Sequence, residues 1–128
     1  MDVGGVNSSG EVKIRLNLPA FIKSIVGPEV LSQDLETALE FGKRRAQSIV
    51  PYDTGALSDS IDYEVNGTTG TLFADTEYAL PVEFGHRTKS GSFVAPRPYL
   101  RPAADETFDY LVKLIQRRLE NTGFEVTG

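Results

Sequence analysis

The stretch Ile49-Val50-Pro51-Tyr52-Asp53-Thr54-Gly55-Ala56-Leu57 admits two incompatible readings, and the choice between them settles the architecture of the chain. In one, Asp53 closes a hydrophobic strand and its loop presents a carboxylate. In the other, Pro51 ends a helix, the Asp53 side chain bonds backbone two residues on, and Gly55 supplies a positive φ, so that Asp53, Thr54 and Gly55 form a structural turn. The flanks favour the turn. Upstream, Leu31, Leu35, Ala38, Leu39, Gly42, Ala46, Ile49 and Val50 follow the three-and-four spacing of one helical face, which predicts a helix over 28–50.

The carboxylate reading has an enzyme attached to it. Asp-Thr-Gly-Ala is the tetrapeptide of aspartic proteases, in which two such loops meet and their carboxylates share a proton to activate water. A chain of 128 residues with one copy would suit a homodimeric retroviral-type protease using Asp53. That enzyme needs a strand before its aspartate and an apolar-apolar-Gly prop late in the chain. Here a helix precedes Pro51 and nothing after Asp53 supplies the prop, so the expectation is a structural turn and no catalytic residue.

Working outward from that helix, its charges are sorted. Glu29, Asp34, Glu36 and Glu40 come early and Lys43, Arg44 and Arg45 late, the order that complements a helix dipole. Before it, Val12, Ile14 and Leu16 alternate with Lys13 and Arg15, a half-buried strand, and Leu18 to Val26 shows a short amphipathic helical spacing ended by Gly27-Pro28. Residues 1–10 are small, polar and glycine-rich, and are expected to form a flexible N-terminal arm ahead of a single domain over 11–128. After the turn, Ile61, Tyr63 and Val65 alternate, 66–70 supplies turn residues and 71–75 returns as a second strand, which predicts a β-hairpin. Tyr78 to Gly85 reads as a helical turn or bent strand around Pro81.

Residues 86–95 hold His86, Arg87 and Lys89 with no acid, show no periodicity, and are expected to be a long mobile loop whose Arg87 and Lys89 face an acidic protein surface or a DNA path. Prolines at 96, 98 and 102 then hold the chain extended up to a helix beginning at Pro102, with Phe108, Leu111, Val112, Ile115 and Leu119 as its apolar stripe and Gly123 as its stop. The fold class is therefore α+β: one antiparallel sheet packed by a long N-terminal helix and a C-terminal helix.

Composition excludes several function classes. The chain has no cysteine and a single histidine, so it offers no thiolate nucleophile and no metal cluster of those ligands; no cofactor is expected. Thirteen basic against eighteen acidic residues, a formal charge of −5, argue against gripping phosphate backbones as the main task, and a small nucleic-acid-binding module is the weaker alternative. No apolar run approaches the length of a bilayer span, which predicts a soluble protein.

Four segments in order carry a resemblance. They are Val50 to Leu57 with Ser60-Ile61, Tyr78-Ala79, Val82-Glu83-Phe84-Gly85, and Arg97-Pro98-Tyr99-Leu100-Arg101-Pro102-Ala103. Over roughly residues 11–120 the chain resembles the tail-completion, or head–tail joining, proteins of long-tailed bacteriophages and prophages. The resemblance implies a virion structural protein of the neck, assembled in the host bacterial cytoplasm. It would form a homo-oligomeric ring, six-fold by family habit, between the head connector and the tail tube or terminator proteins. DNA passes through such a ring without specific binding, and the acidic net charge agrees with that. For subunit and partner contacts the residues singled out are Arg87, Lys89, Arg97 and Arg101, the last two either paired with acids of the long helix or facing the next subunit.

Overall fold

The computed structural model describes residues 2–3, 11–51 and 55–121. Two long antiparallel helices lie on one face of a small antiparallel sheet. The sheet orders its strands β1 (Asp2–Val3), β2 (Val12–Leu16), β4 (Thr69–Ala74) and β3 (Ile61–Asn66), every neighbouring pair antiparallel. The helices are α1 (Ala20–Ile25), α2 (Pro28–Ile49), α3 (Gly55–Ser60), α4 (Ala79–Phe84) and α5 (Leu100–Asn121), and a separate hairpin joins β5 (His86–Arg87) to β6 (Phe93–Val94).

Alternation decides which face of the sheet is dry. Val12, Ile14 and Leu16 of β2, Ile61 of β3, and Leu72 and Ala74 of β4 are buried, while Lys13, Arg15, Asp62 and Glu64 are exposed on the other side. The register lines up Ile14, Leu72 and Tyr63 across three strands, and α2 covers β3 and β4 while α5 covers β2 and β4. A two-residue turn joins β3 to β4, with Gly67 at φ 62° and no positive φ at Thr68, the primed geometry that matches strand twist.

Local signals place the long helices. Pro28 stands at the start of α2, where its missing N–H costs nothing, and the Val50 N–H still donates to the Ala46 carbonyl before Pro51 stops the helix. Leu31, Leu35, Ala38, Leu39 and Ala46 are fully buried, as their spacing predicts. The approach of α2 to its neighbours depends on two glycines. A Cβ on Gly42 would run into the Thr107 hydroxyl of α5, and one on Gly70 of β4 would come within 2.6 Å of Leu39. Ion pairs tie the two ends of the helix pair: Arg118 Nε to Asp34 Oδ2 at 2.7 Å and Arg45 Nε to Glu106 Oε2 at 2.7 Å. The early acids and late bases of the two helices thus face each other because the helices run antiparallel.

Four expectations change in the structure. Asp2–Val3, read as part of an arm, pair with Arg15 and Ile14 at the sheet edge, where β2 offers an unpaired row of backbone groups; the rest of 1–10 lies outside the described residues. Gly55 opens the short helix α3, without positive φ and with open space where a Cβ would stand; Asp53 and Thr54 lie outside the described residues. The span 86–95, expected as a structureless loop, contains the β5–β6 hairpin, because Gly91 at φ 88° lets the chain reverse. Finally α5 begins at Leu100 rather than Pro102, and Gly123 lies outside the described residues.

Candidate partner-binding surface

The segment from Tyr78 to Ala103 brings two of the singled-out stretches together around one buried carboxylate. Pro98 keeps Arg97 out of the helical region, and Tyr99 is the last residue before α5. A helix starting there has several free backbone N–H groups, and no Ser, Thr, Asp or Asn stands between 97 and 101 to cap them. The cap comes from α4. Glu83, completely buried, accepts from the backbone N–H of Tyr99 at 3.2 Å and of Leu100 at 2.8 Å on Oε1, and from that of Arg101 at 3.4 Å on Oε2. Pro102 has no N–H to satisfy, so its place in the first turn leaves the cap complete.

The charge of Glu83 is balanced twice. It sits at the positive end of α5, and Arg101 Nε donates to its Oε2 at 3.2 Å. The same guanidinium lies 5.0 Å from the centroid of the Phe84 ring, a cation–π contact. Tyr99, also fully buried, donates its hydroxyl to the Ala79 carbonyl at 3.1 Å. Burial first, and the Glu83 charge second, push the Tyr99 phenol well above the usual tyrosine value. Among the described residues no buried side-chain polar atom lacks a hydrogen-bond partner.

This knot roots the hairpin at both ends. Gly85 leaves α4 at φ 79°, and a Cβ there would stand 2.7 Å from the Val94 carbonyl oxygen and 3.0 Å from Pro96, so only glycine permits the close crossing. On the returning strand the Arg97 N–H donates to the Val82 carbonyl at 2.8 Å. Beyond these anchors the hairpin stands out in solvent. His86 pairs with Val94 and Arg87 with Phe93; the Thr88 N–H donates to Ser92 and the Gly91 N–H to Thr88. Every residue of β5 and β6 is exposed, Phe93 by 60% and Val94 by 40%. An isolated two-stranded hairpin is marginal in water, so this one depends on its anchors at Gly85 and Arg97.

The residues singled out from the sequence therefore separate into two roles. Arg87 and Lys89 are exposed on the hairpin, Arg87 Nη1 donating to the Gly91 carbonyl at 3.3 Å. Arg101 is instead a partner of a buried acid, on α4 rather than on the long helix, and belongs to the hairpin's root. Arg97 is exposed, with its backbone in the anchor. Sequence reasoning passed over Glu83 as a cap and Phe93 as an exposed anchor. The signal for Glu83 was the missing local cap at 97–101, since an uncapped start implies an acceptor from elsewhere.

Among the described residues no group of histidine, cysteine and carboxylate side chains could hold a metal ion, and no helix is long and apolar enough to cross a membrane. No family model matches the chain, and no curated protein or solved structure matches it either.

Proposed function

We propose that this protein is a virion structural component of a phage neck, a tail-completion or head–tail joining subunit that forms a ring through which DNA passes. The observation that carries the reading is the Glu83-capped root from which a basic hairpin with Phe93 exposed on its returning strand projects. Two of the four segments on which the resemblance rests, Val82–Gly85 and Arg97–Ala103, meet in that root. A domain whose most conspicuous exposed element is a rigidly rooted hairpin with Arg87, Lys89, Phe93 and Val94 suits a part that joins to other proteins. It acts without a cofactor. The neighbours it would meet are the head connector on one side and tail tube or terminator proteins on the other.

The test is complementation. Particles made by the encoding phage or prophage without this protein should accumulate as DNA-filled heads and free tails, and purified protein should restore infectious, joined particles. Joined virions formed in its absence would overturn the reading, as would a peptidase activity that disappears in Asp53→Asn.

A further inference from the structure

A second exposed apolar surface lies on the same chain, away from the hairpin. Helix α1 buries none of its residues, yet carries Phe21, 62% exposed, and Ile25, 50% exposed. Six residues of helix are too few to be stable alone, so α1 is held by what it packs on. Together with α5 it walls a groove of about 360 Å³, lined among others by Leu18, Phe21, Ile25, Phe108, Val112 and Leu119. No hairpin residue lines it. Helical spacing puts Asp105 on the same stripe of α5 as Phe108 and Val112, with Asp109 beside it; both carboxylates are exposed just beyond the groove, and Asp105 lines a separate hollow with Pro98 and Arg101.

We infer that this groove receives the β5–β6 hairpin of a second copy of this chain, with Phe93 entering between α1 and α5 and Arg87, its cross-strand neighbour on the same face, meeting Asp105 and Asp109 together with Lys89. The two surfaces complement each other in shape and charge: one projects and carries Phe93 with cations and no acid, the other is concave and apolar, with Asp105 and Asp109 on α5 beyond its Phe108 end. Neither complements itself. Hairpin against hairpin would oppose Arg87 and Lys89 to their own copies, and groove against groove would leave two hollows facing. The contact is therefore heterologous, the kind that joins subunits head to tail and closes into a ring when the rotation allows. This assignment rests on the neck-ring reading and names the surfaces by which its subunits join.

The absence of cysteine from the chain makes disulfide trapping clean. A full-length chain carrying Ile25→Cys and Phe93→Cys is supplied to the head–tail joining reaction and then mildly oxidised. Chains pairing Phe93→Cys with Arg44→Cys on α2, or with Glu64→Cys on the open sheet face, serve as comparisons, since both positions are exposed. A ladder of disulfide-linked multimers that is strong for the 25/93 pair and absent for the other two is expected. Replacing Asp105 and Asp109 by Lys should weaken that ladder several-fold, and reversing Arg87 and Lys89 to Glu in the same chain should restore it. Joining that proceeds with no 25/93 link, or with links only at 44 or 64, overturns this docking and leaves the ring intact. A 25/93 disulfide formed within the dilute single chain overturns it too, because the hairpin would then fill its own groove. Loss of the ladder's dependence on residues 105 and 109 removes the charge pairing. Failure of every variant and of wild type to join heads to tails overturns the neck reading itself.

Discussion

At the scale of single residues, Glu83 concentrates more consequence than any other side chain in the molecule. Its carboxylate stands at a buried helix start and its charge is met by Arg101, so removing Arg101 leaves a buried carboxylate without its counter-charge and removing Glu83 strips three backbone N–H groups of their acceptor. Glu83→Ala should destabilise the protein by about 3 kcal/mol or more, and Glu83→Gln by less because the amide oxygen still accepts from Leu100. Denaturant unfolding gives the comparison; equal losses for the two variants would mean that the charge contributes nothing. Arg101→Glu, which sets a carboxylate against a buried carboxylate, should likewise lower stability, whereas Arg87→Glu on the hairpin should leave it unchanged. Tyr99 adds a pH dependence of definite sign. In the unfolded chain its phenol ionises near pH 10, while in the fold burial keeps it protonated to higher pH. Stability from this group is thus complete below about pH 10 and is lost as pH rises above it, by roughly 1.4 kcal/mol per pH unit. Tyr99→Phe should cost about 1 kcal/mol at neutral pH, from the lost bond to Ala79, and should flatten the alkaline fall. An identical alkaline profile in the two proteins would assign that fall to other groups.

At the scale of elements, what was legible in the sequence was what is local. Helix α2 was legible because its stripe repeats over six turns and Pro28 and Pro51 punctuate it; β3 and β4 were legible because two alternating runs flank a Gly-Thr turn. Misread elements depend on distant partners. Prolines at 96, 98 and 102 argue for an extended chain up to a helix start at Pro102, but Glu83, seventeen residues before Leu100, caps two earlier N–H groups and draws the start back. The β5–β6 hairpin has only two residue pairs and no apolar alternation, so nothing in it registers as a strand. Of the candidate site, the basic residues were legible from composition, while the pairing of Arg101 with the buried Glu83, which Arg87 does not share, required the fold. The α2–α5 contact makes its own prediction. Gly42→Ala should cost about 1–3 kcal/mol through collision with Thr107, although alanine is the better helix former. Thr107→Ala removes the obstructing hydroxyl, so the double variant should recover most of that loss. Additive losses in thermal or denaturant unfolding would show that the two positions do not meet.

At the scale of the whole molecule, stability and joining are carried by different parts. The core lies between the sheet and the two long helices, and residues 88–92 contribute nothing buried to it. Deleting 88–92 should therefore leave the unfolding temperature within a degree or two, since surface changes away from packed features have small effects, yet abolish joining of tails to filled heads. A large drop in unfolding temperature would place the hairpin within the cooperative fold. Hydrogen exchange should show the same division, the amides of 86–94 exchanging far faster than those of β2 and β4. The close crossing at Gly85 also sets a load path. Whatever grips the hairpin pulls on two short backbone connections, Gly85 leaving α4 and Arg97 bonded to Val82, and both lead at once to the cap on α5. Tension applied there reaches the start of α5 through the Glu83 carboxylate, so the first thing to yield under traction is the grip of residue 83 on its helix.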